Sequence, residues 1–190
     1  METITLNTSA ITFSEEEFFL FCQDNDNLRF ERTADQQIIV MAPTGSETGF
    51  KNSDINFELV LWNRQQKGGY VFDSNAGFTL PNGAVRSPDA SWVKKEKYEA
   101  LSMSDRHRFA HICPDFVIEL QSLSDSLSQL KDKMKEYMAN GCQLGWLISP
   151  ELRKVYIYKP GEAITEVTFE KPLSGQNTLP GFALDLSKIF

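Results

Sequence analysis

The chain reads as one α/β domain, a mixed β-sheet with flanking helices and extra β-hairpins. Two observations carry that reading. The segment DFVIEL (115–120), a helix-period stretch over 126–140 and the segment LGWLI (144–148) follow one another as strand, helix and strand, and an α crossover between consecutive strands makes parallel neighbours. A length of 190 residues is one domain's worth, and 41% hydrophobic residues suffice to bury a core without disulfides or a structural metal, so residues 1–190 are expected to fold as a single unit.

Taken in order, Ser14 followed by Glu15, Glu16 and Glu17 predicts a helix N-cap with an acidic first turn, and Phe18, Phe19, Phe21 and Cys22 carry that helix toward Asp24. LRFERTADQQIIVMA alternates and then runs apolar around a break at Ala34-Asp35, which predicts a hairpin from Leu28 to Met41. Residues 43–49 read as a turn. Ile55, Leu59 and Trp62 then recur at helical spacing up to Gly68-Gly69. From Gly69 to Val93, short apolar pieces alternate with Gly, Pro, Asn and Ser, the pattern of short strands and tight turns. Lys94 to Ala110 is charged and partly helical. The helix over 126–140 places Leu127, Leu130, Met134, Tyr137 and Met138 on one face and stops at Asn140-Gly141. KVYIYK and ITEVTFE supply further strands after LGWLI.

A net charge of −7 and a pI near 4.9 weigh against avid, non-specific binding of a polyanion. They leave room for a nuclease, because a bound divalent cation reverses the sign of a carboxylate cluster locally. No stretch approaches the roughly 20 apolar residues of a membrane span. The start of the chain has no basic segment followed by an apolar run, so a cytoplasmic location is expected. Cys22, Cys113 and Cys142 are odd in number and set among apolar neighbours, as buried reduced thiols are.

Phosphodiester cleavage with a divalent cation needs hard oxygen ligands, usually two carboxylates, and a positive group near the phosphate. Asp89 follows Pro88 in a turn-rich segment just before SWV, and Glu119 interrupts FVIEL. A carboxylate in a strand built for burial is costly unless it is paired or metal-bound. On pattern alone, Glu119 fits a wet sheet face equally well, and Ser-Pro-Asp is also an ordinary turn. His107 and His111, at i, i+4 spacing with Cys113 nearby, lack a fourth zinc ligand, and PTGSETG lacks the Lys-Ser/Thr ending of a phosphate-binding loop.

RSPDASWV (86–93), CPDFVIELQS (113–122), the spacing Lys133-x-x-x-Tyr137-x-x-x-Gly141 and LGWLISP (144–150) together resemble the Uma-type family of bacterial putative restriction endonucleases, within the PD-(D/E)xK nuclease superfamily. The resemblance extends to LRFERTADQQIIVMAPTG near the start and LPGFALDLSKIF at the end. It implies a restriction-endonuclease-like fold and a DNA endonuclease dependent on Mg²⁺ or Mn²⁺. Asp89 matches the family's Asp and Glu119 its (D/E), and both are expected as metal ligands. Gln121 stands where the superfamily has lysine; an amide can position water but cannot neutralise charge. The family spacing puts the displaced lysine at Lys133, as stabiliser of a phosphorane-like transition state. The helical wheel alone leaves Lys131 and Lys133 open, one on each edge of the apolar stripe. Glu58, on an early helix, maps loosely onto an acidic metal-binding position of many superfamily members. The alternative is a catalytically weak or inactive nuclease-fold binding module acting as a homo-oligomer, which the acidic pI and Gln121 favour.

Overall fold

A computed structural model of the chain describes residues 4–8, 12–41 and 43–190. The strands are β1 (Ile4–Leu6), β2 (Arg29–Arg32), β3 (Ile38–Met41), β4 (Gly69–Asp73), β5 (Phe78–Thr79), β6 (Val85–Arg86), β7 (Ala90–Lys94), β8 (Ala110–His111), β9 (Phe116–Leu120), β10 (Leu144–Ser149), β11 (Lys154–Tyr158), β12 (Thr165–Thr168), β13 (Leu173–Ser174) and β14 (Ala183–Leu184). The helices are α1 (Glu15–Asp24), α2 (Ser46–Gln66), α3 (Lys95–Glu99), α4 (Met103–Arg106) and α5 (Leu127–Ala139).

Helix α1 opens with a reciprocal cap: the Ser14 hydroxyl accepts from the Glu17 amide, and the Glu17 carboxylate accepts from the Ser14 amide, which satisfies two amides that the helix itself leaves free. β2 and β3 pair antiparallel as the predicted hairpin. The turn expected over 43–49 is shorter than its glycines suggest, because α2 begins at Ser46. Gly49 lies inside that helix and donates back to the Gly45 carbonyl, while the Glu47–Lys51 ion pair at 2.6 Å braces the first turns. α2 buries Ile55, Leu59 and Trp62, and ends at Lys67 in the left-handed region, φ 56°.

The strands form two six-stranded sheets and one two-stranded ribbon, where the sequence suggested one main sheet. The first sheet runs β1-β3-β2-β6-β5-β8 and the second β12-β11-β10-β9-β7-β4. β5 and β6 have only two residues each, so pairing partners and not their own pattern decide where they go. They extend the β2–β3 hairpin through the rung Arg32↔Val85.

In the second sheet β9 lies between β10, its parallel neighbour across α5, and β7, its antiparallel neighbour. Side chains alternate across a strand. Phe116, Ile118 and Leu120 face a core shared with α2 and the C-terminal segment, where Phe182 stacks on Trp146 at 5.8 Å between ring centroids. Val117 faces the α5 core with Met134 and Tyr137, and Glu119 shares that parity. α5 lies close on the sheet, since a Cβ built on Gly145 would fall 2.4 Å from the Met134 Cε. Cys113 and Cys142 are buried, and all three thiols are free. Among the described residues no helix is long and apolar enough to cross a membrane.

Candidate active site

Asp89 sits at the entry to β7. The rung Ala90↔Ile118, continued by one residue, sets Asp89 opposite Glu119 on the neighbouring strand, where facing side chains lie on the same side of the sheet. The Asp89 carboxylate accepts from the Leu120 amide at 2.8 Å and from the Asn52 side chain at 3.0 Å, and Asn56 donates to the Asp89 carbonyl at 3.0 Å. Asn52 and Asn56 are four apart on α2, so one helix face holds Asp89 in place.

Glu119 is buried at 4% exposure. Its Oε1 accepts from the Tyr137 hydroxyl at 3.0 Å and from the Lys133 ammonium at 2.8 Å. Tyr137 and Lys133 are again four apart, on α5, and the interior side of that helix therefore delivers both to the strand end. Lys131 takes a different course, its ammonium lying over the Tyr156 ring at 3.9 Å from the centroid. Packing thus separates two lysines that the helical wheel alone leaves equivalent.

The sequence reading misses Glu31, Arg86, Glu136, Asn52 and Asn56. Glu31, on β2, is buried at 3% exposure. It accepts from Lys133 at 2.8 Å, from the Ser87 amide at 2.9 Å and from Arg86 at 3.1 Å. Arg86 reaches on to Glu136 of α5 at 2.6 Å. The criterion that singles out Glu119, a charge between apolar residues of a strand, does not reach Glu31, which stands between Phe30 and Arg32, or Arg86, which stands between Val85 and Ser87. Asn52 and Asn56 carry no such signal. Gln121 turns its amide nitrogen to the Asp125 carbonyl at 3.2 Å, and its Oε1 is buried without a partner. Among the described residues no hydrogen bond or ion pair joins Glu58 to this cluster. His111 pairs instead with Glu15 at 2.9 Å, half-exposed on the surface.

Burial raises the Glu119 carboxyl to about 8: Lys133 pulls it down, but the neighbouring Asp89 and Glu31 charges add to desolvation. Burial also raises Asp89, against the opposing Leu120 amide, Lys133 and Asn52. Glu31 moves the other way, because Lys133 and Arg86 together outweigh its desolvation. Lys133 is held firmly protonated: burial works against its charge, but Glu119 and Glu31 prevail. Four carboxylates, Glu31, Asp89, Glu119 and Glu136, thus face two cations, Arg86 and Lys133.

The donor chemistry suits a hard ion: the Asp89 and Glu119 carboxylates, with the Asn52 Oδ1 and Gln121 Oε1 atoms buried and lacking hydrogen-bond partners. Among the described residues no group of three or more Asp, Glu, His or Cys side chains makes a ready metal cage, so amide oxygens or water would have to complete a ligand set.

The sequence profile of the Uma2 family, described as "Putative restriction endonuclease", matches residues 15–187. A crystal structure described as a putative nuclease belonging to DUF820, from Anabaena variabilis ATCC 29413, superposes with a TM-score of 0.76 at 18% identity, over 94% of this chain and 97% of the other. No curated protein sequence matches.

Proposed function

We propose, from the premise that this chain belongs to the Uma2 family of restriction endonuclease-like proteins, that it is a Mg²⁺- or Mn²⁺-dependent DNA endonuclease whose site is the Asp89–Glu119–Lys133 cluster. One observation carries this reading: the half-buried Asp89 and the buried Glu119 stand on facing strand positions, and an ammonium lies 2.8 Å from Glu119. Asp89 and Glu119 would hold the ion, which when bound supplies Lewis acidity toward phosphate and water. The chain's own groups do the rest. Asn52 and the Leu120 amide aim Asp89, and Tyr137 aims Glu119. Lys133 contributes fixed positive charge for the oxygens on which charge builds, where a preorganised cation in a dry site is most effective. The unpartnered Gln121 Oε1 is free to accept from water and so to orient it.

The test is cleavage of supercoiled plasmid with Mg²⁺ or Mn²⁺. The parent should nick or linearise it. Asp89→Ala and Lys133→Ala should each lower the rate by about 100-fold or more, while Lys131→Ala should stay near the parent. Equal activity in parent and Lys133→Ala removes that residue from the mechanism.

The second reading, a weak or inactive nuclease-fold binding module that self-associates, draws on two observations. Lys133 already occupies a Glu119 oxygen, and Phe50, Phe57 and Leu61 are exposed along one side of α2, next to the edge strand β4. No metal-dependent cleavage and no metal binding in the parent, with a dimer in solution by light scattering, would favour it.

A further inference from the structure

Lys133 has two carboxylates and not one. Its ammonium lies 2.8 Å from Glu119 and 2.8 Å from Glu31, with its side chain only 13% exposed. A flexible four-carbon stem loses rotamer freedom when fixed, so the second partner has a physical role: with Glu119 alone, the ammonium could follow that carboxylate anywhere its arc allows. Glu31 is itself immobilised, by the Ser87 amide on one oxygen and by Arg86 on the other, and Arg86 is tied to Glu136 on α5, the helix that carries Lys133. The anchor and the anchored group are therefore linked through a closed ring of charged contacts: Glu31, Arg86, Glu136, helix α5, Lys133.

We propose that Glu31 is a positioning residue that pins Lys133 as a permanent cation between two carboxylates, so that the centre accepts one divalent ion and not two. The proposal rests on the nuclease reading for its consequence and on the geometry for its content. An ammonium seated between Glu31 and Glu119 fills the space a second metal would need if those two carboxylates were to bridge it. The remaining ion is left to Asp89 and the rest of Glu119; the amide oxygens of Asn52, whose NH₂ donates to Asp89, and of Gln121, two residues beyond Glu119, are buried and have no hydrogen-bond partner. Glu31→Gln cannot reproduce the seat. Its amide has one acceptor, whereas Ser87, Arg86 and Lys133 are all donors, so its NH₂ must confront one of them.

Two measurements on the full chain decide it. Mn²⁺ titration by calorimetry should give one ion per chain in the parent; two ions per chain would overturn the single-ion claim. The ¹⁵N-labelled Lys133 ammonium should give a signal protected from solvent exchange in the parent, identified by its loss in Lys133→Arg. Glu31→Gln should abolish that protection and weaken Mn²⁺ binding by about 10- to 100-fold, as loss of an orienting partner does, and Glu31→Asp should restore part of both. Protection unchanged in Glu31→Gln would overturn the positioning role. If plasmid cleavage fails in the parent while the ammonium behaves as expected, the nuclease reading falls and the Glu31 assignment stands. If cleavage holds and the ammonium is unaffected by Glu31→Gln, the reverse is true.

Discussion

At the level of single side chains, Glu31 titrates in the opposite sense to the carboxylates around it. Desolvation alone would raise it, yet Lys133 and Arg86 bring it below its ordinary 4.5. A carboxyl lowered in the folded state binds fewer protons there than in the unfolded chain. Its contribution is therefore present above about pH 4.5 and is lost as pH falls through the folded value. Glu31→Gln, which leaves Lys133 and Arg86 short of a buried partner, should destabilise the protein by about 3 kcal/mol at pH 7. The gap in melting temperature between parent and variant should narrow as the pH is lowered below 4.5. A gap that is constant with pH would show that the loss is one of shape and not of charge. The same residue marks where sequence reading stops. Asp89, Glu119 and Lys133 are legible because motif spacing picks them out. Glu31 is not, because it enters the cluster through contacts spanning 55 residues of chain, which no local pattern encodes. Asn52 and Asn56 are hidden for a further reason: an asparagine on a helix carries no charge whose burial would look anomalous.

At the level of elements, what is local was readable and what is not was lost. The Ser14 cap, the Asn140-Gly141 stop and the parallel β9–α5–β10 unit follow from periodicity and end signals. The allotment of β5 and β6 to a separate sheet does not, since two residues of alternation specify no partner. Close approaches between elements are likewise invisible before the structure. A Cβ on Gly69 would lie 2.2 Å from the Val93 carbonyl oxygen and 2.5 Å from the Trp92 ring, against backbone that cannot swing aside. Gly69→Ala should push β4 off β7 and destabilise by about 1–3 kcal/mol. Ser14→Ala removes one half of an exposed cap and should lower stability by about 1 kcal/mol. Chemical denaturation of the two variants should rank them in that order, and a Ser14→Ala loss exceeding that of Gly69→Ala would contradict the packing described at the sheet edge.

At the level of the whole molecule, a net charge of −7 sets the conditions under which DNA can approach. That field repels a polyanion, and on the proposed nuclease reading a bound divalent ion would reverse its sign locally at the site. Fluorescence anisotropy with a labelled duplex should show no binding in EDTA and measurable binding in Ca²⁺, a hard-ion substitute. Its dependence on monovalent salt should be shallow, because few phosphates are neutralised by surface lysines. Tight binding in EDTA would mean that a basic surface, and not the ion, recruits the nucleic acid.

The closed ring of charges also bears on when the protein becomes competent. Its members come from a hairpin, a two-residue strand and the crossover helix, and their contacts close long stretches of chain, the slowest events in folding. A nascent chain presents no complete set until α5 has emerged and both sheets have paired. On the proposed nuclease reading, activity at this site would require the finished fold. A variant that loosens either sheet should then lose plasmid cleavage in step with global unfolding instead of passing through a weakened enzyme.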